Sequence, residues 1–312
     1  MTTLVLGGYG AVGARVVAQL RADGEAALAA GRDPARADRV VDLREDGLGS
    51  LQAALPDVDV VVNAAGVEDP SLAALIAGRG VALVDITATS GYVAALERLN
   101  PPRPILLSVG LAPGLTNLLA ATVHAAAPGP IDLAVLLGAG ERHGVAAVAW
   151  SYGLLGRRFR DPATGSLVRN YTRPRRFELP GYGRRRLYRA DFSDQHALTR
   201  DLGVPVRTWF GLDSRLATAA LATLTWVPGA SSAPRGLHLP GSDQWVVLAR
   251  GRDGTSRWAS GRSQAHATAV LAATAVHAVT GLPPGIHHLH QVLTVGDVPT
   301  GRGIHLDDAV LG

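Results

Sequence analysis

The stretch Thr3-Leu4-Val5-Leu6-Gly7-Gly8-Tyr9-Gly10-Ala11-Val12-Gly13 joins an apolar run to three spaced glycines that open a helical pattern. In a strand–turn–helix unit, Gly8 permits a tight turn and Gly10 lets a pyrophosphate approach the backbone. Gly13 lets the helix pack closely, and the first N–H groups of that helix attract an anion. The spacing therefore predicts a dinucleotide-binding turn; the alternative is a glycine turn kept only for packing. The predicted cofactor contacts in the turn are Gly8, Tyr9, Gly10, Ala11, Val12 and Gly13.

The first 120 residues alternate short apolar runs with alanine- and leucine-rich helical stretches. Strands separated by single helices need crossover connections and therefore form a parallel sheet. The predicted strands are Thr3–Leu6, Ala26–Ala30, Arg39–Asp42, Val58–Asn63, Val81–Asp85 and Ile105–Ser108. The predicted helices are Ala11–Arg21, Leu48–Leu55, Ser71–Ala77 and Gly91–Leu99.

After Asn117 helical and strand patterns no longer alternate regularly. The sequence thus predicts an α/β protein with two domains. Residues 1–118 form a Rossmann domain with a doubly wound parallel sheet, and residues 119–312 form a mixed α+β domain for substrate binding. The helix at 265–280 is a candidate to pack back on the first domain. The predicted elements of the second part are Leu118–Ala127, Ile131–Leu137, Val145–Leu155, Val204–Phe210, Ser214–Trp226, Gln244–Arg250, Ser256–Ala259 and Ala265–Val279.

The amino-acid composition excludes several kinds of catalytic and metal-binding site. The chain has 312 residues and no cysteine, and all 30 of its basic residues are arginine. A thiolate nucleophile, a Cys-ligated zinc, a lysine Schiff base and a Tyr-x-x-x-Lys relay are therefore excluded. A net charge of +4 does not indicate nucleic-acid binding. Prolines interrupt the long uncharged stretches and no signal peptide is visible, so we expect no membrane span and a cytoplasmic location.

The end of the second predicted strand indicates which nicotinamide cofactor is used. An NAD site usually has an acid there for the ribose 2′-hydroxyl, but this chain has Ala30-Gly31-Arg32, with Asp33 one step later. Arg32 could pair with a 2′-phosphate and stack on adenine. The sequence therefore favours NADP(H) over NAD(H), with Asp33 expected to cap the next turn. Asp42, at the end of the third predicted strand, joins the cofactor-binding set.

Two further strand ends should lie near the cofactor, because ligands collect beyond the carboxyl ends of parallel strands. The fourth strand ends in Asn63-Ala64-Ala65-Gly66 and the fifth in Asp85-Ile86-Thr87. We predict cofactor contacts from Asn63, Ala64, Ala65, Gly66 and Thr87. Two structural alternatives stay open: Asn63 could only brace its own loop, and Asp85 could only cap the following helix.

These segments together resemble the saccharopine dehydrogenase-like reductases. The matching motifs are Gly7-Gly8-Tyr9-Gly10-x-Val12-Gly13, Asn63-Ala64-Ala65-Gly66, Val84-Asp85-Ile86-Thr87 and Gly110-Leu111-Ala112-Pro113-Gly114-Leu115-Thr116-Asn117. The resemblance implies an NAD(P)-dependent oxidoreductase acting at a carbon–nitrogen bond, often through an imine, and a homodimer formed through the second domain. Residues 140–240 match nothing in the family, so its substrate is not carried over.

Hydride transfer needs a proton donor and groups that position a small-molecule substrate. The candidate catalytic residues are His143, Asp85 and Tyr92, with His143 preferred as donor because histidine titrates near neutrality. The turn Pro113-Gly114 and Asn117 are predicted to hold a substrate carboxylate or the nicotinamide amide. For Tyr92 and Trp150 the alternative role is core packing. For His143 the alternative is a loop position with no catalytic role. The predicted substrate contacts are Thr89, Pro113, Gly114, Asn117, Trp150 and Arg157.

Residues 157–189 hold eleven arginines. They are expected to form a solvated surface or a dimer contact, with Arg157 or its neighbours as an alternative receptor for an acidic substrate group. His287-His288-Leu289-His290 lacks neighbouring carboxylates, so no metal is predicted. The resulting hypothesis is an NADPH-dependent reductase of an imine or related conjugated double bond of a small metabolite, and the unmatched middle region favours specialised metabolism. Its rivals are a non-redox epimerase or cyclase with tightly bound NADP, and a non-enzymatic NADP(H) sensor.

Overall fold

A computed structural model describes residues 1–140, 150–232 and 241–307. The chain divides into two compact units. The first combines Met1–Gly114 with Thr268–Val298, and the second contains residues 115–267 and those after 298. Both units are discontinuous in sequence, because the chain leaves the first unit at Gly114 and returns to it at Thr268.

The first unit contains a seven-stranded sheet in which every neighbouring pair is parallel. Its strands lie in the order β15-β6-β5-β4-β1-β2-β3, so the chain winds one way from β1 to β3 and the other way from β4 to β6. This is the doubly wound Rossmann order with one added edge strand, which confirms the predicted fold class. The strands are β1 Thr2–Leu6, β2 Ala26–Gly31, β3 Arg39–Val40, β4 Val60–Asn63, β5 Ala82–Asp85, β6 Pro104–Leu107 and β15 Gly285–His288.

Burial explains why these short runs form central strands. All residues of β4, β5 and β6 are buried, as expected for strands covered on both faces by helices. In α1 the buried positions are Gly13, Val16, Val17 and Leu20, which recur at helical spacing. The helices of this unit are α1 Gly13–Ala22, α2 Gly49–Ala54, α3 Pro70–Gly78, α4 Ser90–Leu96, most of α8 Gln264–Val279, and α9 Leu289–Val292.

The second unit is built on a mixed sheet in the order β10-β11-β12-β7-β13-β14-β16, with β8 and β9 as a separate pair. Only β7 and β12 run parallel; the other neighbours are antiparallel. The strands are β7 Ile131–Leu137, β8 Arg158–Arg160, β9 Leu167–Arg169, β10 Thr172–Leu179, β11 Gly183–Arg189, β12 Val206–Leu212, β13 Gln244–Gly251, β14 Ser256–Arg262 and β16 Ile304–Leu306. Its helices are α5 Thr116–Ala126, α6 Ser193–Leu202 and α7 Arg215–Leu224.

Several sequence-based expectations need correction. The third strand ends at Val40 rather than Asp42, because the Asp42 carboxylate accepts the backbone N–H of Arg44 in a turn. The arginine-rich segment forms the four strands β8 to β11, and Arg185 and Arg189 are buried, not solvated. Residues 145–149 of one predicted helix lie outside the described part of the chain. No described helix is long and apolar enough to cross a membrane.

Candidate functional site

The turn between β1 and α1 is closed by backbone contacts that only glycine permits. A Cβ on Gly13 would lie 2.2 Å from the Gly7 carbonyl oxygen, and one on Gly8 would lie 2.5 Å from the Ala29 Cα atom. A Cβ on Gly10 would approach only the Gly7 oxygen, at 3.1 Å. Gly8 and Gly13 are therefore required by packing, whereas a Cβ on Gly10 would be tight against a single backbone atom. No side chain caps the N-terminus of α1 in the described residues, which leaves this helix end suited to an anion.

The side chain of Tyr9 packs against the end of β2. Its hydroxyl accepts the backbone N–H of Asp33 at 3.0 Å, and the Arg36 guanidinium lies 4.3 Å from its ring centre. A Cβ on Gly31 would lie 2.4 Å from the tyrosine ring, so β2 must end in glycine here. Tyr9 therefore fixes the glycine turn to the loop that follows β2.

Two exposed arginines, Arg32 and Arg36, follow β2. The Asp33 carboxylate accepts the N–H of Ala35 at 3.0 Å, which is the predicted capping role. Asp42 lies in an ion pair of 2.8 Å with Arg44. Hydrogen bonds from Arg44 lower the pKa of Asp42 to about 2, and the charge of Arg32 adds to this effect. The Asp42 carboxylate is therefore engaged by arginine, and the cofactor contact expected of it stays a prediction.

The ends of β4 and β5 meet in a buried hydrogen-bonded cluster. Asn63 donates to the Asp85 carboxylate at 2.9 Å and to the Val67 carbonyl at 3.0 Å. The Tyr92 hydroxyl donates to the same Asp85 oxygen at 2.9 Å, and the Thr87 N–H donates to the other oxygen at 2.8 Å. The structure thus brings four predicted site residues together, and three of them donate hydrogen bonds to the fourth, Asp85. Asn63 also braces its own loop, as in the structural alternative.

Electrostatics within this cluster favours a positioning role. Burial raises the pKa of Asp85, while the hydrogen bonds from Thr87, Asn63 and Tyr92 act to lower it. Burial and then the charge of Asp85 raise the pKa of Tyr92, so its hydroxyl keeps its proton and donates. Asp85 is only 1% exposed. The cluster therefore orients the loops after β4 and β5, and those loops carry the atoms available to a ligand.

The glycine turn lies beside the loop after β4. A Cβ on Gly7 would lie 2.9 Å from the Ala64 oxygen and from the Ala65 Cα atom. The chain order of the sheet reverses between β1 and β4, and ligands of doubly wound sheets bind in the crevice at that point. The predicted cofactor residues of the glycine turn and of the loop after β4 therefore border one crevice of the first unit.

The remaining predicted residues are more scattered. Thr89 donates a hydrogen bond to Glu68, also within the first unit. In the second unit, Asn117 is buried, Arg157 is exposed, and the Trp150 ring packs edge-on against Phe192 at 4.7 Å. His143 lies outside the described residues.

The link from the first unit to the second is an irregular turn. The bond between Ala112 and Pro113 is cis, and Gly114 has a φ of +136°, a conformation that favours glycine. Just beyond it, the Thr116 hydroxyl donates to the buried Asp194 carboxylate at 2.9 Å. Burial raises the pKa of Asp194, while the hydrogen bonds that its carboxylate accepts, the strongest from Thr208, act to lower it. Asp194 thus fixes the first turn of α5. Sequence reasoning missed this role because Asp194 stands among other polar residues in the sequence.

A second group missed by sequence reasoning is a hydrogen-bonded chain of Ser108, His288 and Glu97. His288 contacts the Ser108 hydroxyl through Nδ1 at 2.9 Å and Glu97 through Nε2 at 2.9 Å. Ser108 is fully buried and His288 is 2% exposed, so no substrate can reach the serine, and the chain instead fixes β15 to the sheet. The signal in the sequence that could have identified this group was the histidine run His287-His288-Leu289-His290. Within the described residues, no group of three potential ligands could hold a metal.

Comparison with known proteins identifies no family. No protein-family profile and no curated protein matches the chain. One similar solved structure is an amine dehydrogenase from Mycobacterium smegmatis, with 14% identity, a TM-score of 0.45, and coverage of 97% of this chain and 98% of that one. Another is a protein from Lactobacillus casei, with 28% identity, a TM-score of 0.20, and coverage of 36% of this chain and 52% of that one. At such scores, neither similarity says what this chain does.

Proposed function

We propose that this protein is an NADPH-dependent reductase that acts on a carbon–nitrogen double bond, or a related conjugated double bond, of a small metabolite. The turn between β1 and α1 gives the main support. It combines glycines that packing requires with a helix N-terminus that has no side-chain cap, next to the loop after β4. A dinucleotide pyrophosphate fits this arrangement.

The choice of NADP(H) over NAD(H) follows from the loop after β2. Arg32 and Arg36 are both exposed there, and the nearest acid, Asp33, already caps the turn. Guanidinium groups suit a 2′-phosphate, whereas a free carboxylate would suit a ribose 2′-hydroxyl. Sequence reasoning named Arg32 alone; the stacking of Arg36 on Tyr9 adds it as a second phosphate-binding candidate.

The bound nicotinamide would supply the hydride, and the protein would supply position and a proton. Asp85, held by Asn63 and Tyr92, keeps the loops after β4 and β5 in one arrangement. His143 is proposed as the proton donor. The binding of a substrate carboxylate by Pro113, Gly114 and Asn117 rests on the sequence alone, since all three residues are buried. The imine substrate class, the dimer and the cytoplasmic location rest on the sequence alone.

The proposal is tested by titrating purified protein with NADPH and NADH, followed by nucleotide fluorescence and thermal shift. We expect tighter binding of NADPH, and a loss of tenfold or more in Arg32→Ala, equivalent to about 1.4 kcal/mol. Arg103→Ala is the matched control, because Arg103 is an exposed arginine that precedes β6, three strands away from β1 in the same sheet and on the side opposite β2. Failure of both nucleotides to bind the folded protein would overturn the proposal.

A further inference from the structure

One face of the mixed sheet carries a row of charged residues rather than apolar ones. In the strand register, Arg207 of β12 lies beside Asp132 of β7, and Asp132 lies opposite Arg250 of β13. The adjacent row on the same face contains Arg189 of β11 and Trp209 of β12. Side chains two residues apart on a strand share a face, so these rows form one surface.

A cavity of about 430 Å³ opens on this surface, and we call it the arginine cavity. It is large enough for a small organic ligand, since ligand pockets begin at about 300 Å³. Its lining residues are Asp161, Thr164, Ser166, Arg173, Arg175, Arg189, Arg207 and Trp209.

The floor of the arginine cavity is rigid. Arg189 and Asp161 form an ion pair at 2.8 Å, with side chains 3% and 2% exposed, and Arg207 joins them at 3.2 Å. The Trp209 ring lies between two guanidinium groups, 5.2 Å from that of Arg189 and 5.3 Å from that of Arg175. A buried and cross-linked floor holds its charges in place before any ligand arrives.

Positive charge exceeds negative charge in this cluster. The four lining arginines face Asp161 and also Asp132, which pairs with Arg175, so the formal charge is +2. The Arg173 side chain is exposed, and the buried Nε of Arg189 has no hydrogen-bond acceptor in the described part of the chain. Burial lowers the pKa of Arg189, and the nearby charges of Arg207 and Arg173 lower it further. The cluster therefore carries two positive charges that its acidic side chains do not balance.

A β-bulge directs Arg173 toward the cavity. Thr172 lies opposite Arg189 and Arg175 opposite Leu187, so two residues, Arg173 and Pro174, face a single residue on β11. Such a bulge changes the direction of side chains on its strand. The bulge places Thr172 and Arg175 on the sheet face that also carries Arg189, and both Arg173 and Arg175 line the cavity.

We propose that the arginine cavity binds a small dianionic molecule of the phosphate-ester class. Guanidinium groups bind phosphate through paired hydrogen bonds. The hydroxyls of Thr164 and Ser166 also line the cavity; they hydrogen-bond each other at 2.9 Å, which leaves one O–H to donate to a tetrahedral anion. The volume exceeds that of a bare phosphate and leaves room for the organic part beside Trp209. This site belongs to the second unit and does not depend on the proposed reductase activity.

Calorimetric titration with phenyl phosphate and with malonate, at constant ionic strength, tests the proposal. We expect phenyl phosphate to bind, malonate to bind at least tenfold more weakly, and Arg173→Ala to weaken phenyl phosphate at least tenfold. Arg173 is exposed, so the variant should fold, which its thermal transition checks. Arg176→Ala is the matched control, because Arg176 is an exposed arginine on the same strand that does not line the cavity.

Three results would overturn the proposal. Absence of binding at millimolar phenyl phosphate would do so, and so would equal binding of malonate, which would exclude a phosphate-specific site. The third is an equal loss in Arg176→Ala or in Arg32→Ala. A loss in Arg176→Ala would indicate nonspecific attraction to a basic strand, and a loss in Arg32→Ala would indicate that the phosphate occupies the nucleotide edge of the first unit.

Discussion

At the carboxyl edge of the parallel sheet, the turn from Gly7 to Gly13 offers a ligand mainly backbone N–H groups, whereas the arginine cavity offers guanidinium groups. The first arrangement depends on residues that have no side chain, because a Cβ at Gly8 or Gly13 would collide with backbone. The second depends on long side chains held by a buried acid, Asp161. The same class of anion can thus be recognised through chain conformation or through placed charge, and the two arrangements should respond differently to substitution.

The largest effect is expected from Asp161→Asn. Removing one partner of a buried ion pair costs about 3–5 kcal/mol of unfolding free energy, because Arg189 is left buried without its counter-charge. Burial would raise the pKa of Asp161, but Arg189 and Arg207 lower it to about 2, from 3.8. A carboxylate with a lowered pKa stabilises the fold above its unfolded pKa, and this stabilisation is lost as the pH falls towards about 2.

Urea unfolding at pH 7 and at pH 3 measures this prediction. The difference between wild type and Asp161→Asn should be large at pH 7 and shrink at pH 3. A difference that stays constant with pH would mean that the carboxylate charge does not hold the cavity floor.

Gly13→Ala should cost about 3 kcal/mol of unfolding free energy, since the added methyl would lie 2.2 Å from a backbone oxygen. The matched control is Gly78→Ala at the exposed end of α3, where a Cβ meets nothing within 4 Å and should be neutral or slightly stabilising. Thermal and urea unfolding of the two variants provide the measurement. Equal stabilities of the two variants would show that the glycine turn leaves more space around Gly13 than the structure shows.

Tyr92→Phe should have the smallest effect, about 1–3 kcal/mol at pH 7, because Asp85 loses one of its buried donors. Burial already raises the pKa of Asp85, and loss of this hydrogen bond raises it further. A raised carboxyl pKa lowers stability as the pH rises above the unfolded value of 3.8. Unfolding at pH 3.5 and pH 7 should therefore show a penalty that grows with pH; a pH-independent penalty would contradict the role given to Asp85.

Local sequence patterns predicted the parts of the molecule that depend on local burial. β7 was predicted at the observed bounds, Ile131–Leu137, because its apolar run is bounded by a Pro-containing turn and a glycine. The six strands from β1 to β6 were located to within about two residues at each end, and their parallel order follows from the alternating helices. The glycine spacing also identified the crevice-bordering turn, whose packing the structure explains.

Features that depend on distant partners were not predictable in this way. β15 consists of residues that read locally as a loop, and only its pairing with β6 makes it a strand. Helix α6 was missed because its buried face includes Ser193, Asp194 and Gln195, which pattern reasoning assigns to solvent. The buried Arg189 was misjudged for the same reason, since its burial depends on Asp161, a residue 28 positions away.

The strand β15 also has a consequence for how the chain is synthesised. Ser108 and His288, which fix β15 to the sheet, are 180 residues apart. One edge of β6 therefore stays unpaired while residues 115–267 of the second unit are being made. Exposed edges of apolar parallel strands promote association between chains. A nascent or truncated chain that ends before residue 285 should therefore aggregate or need a chaperone, because the Rossmann sheet becomes complete only once residues 285–288 have been made.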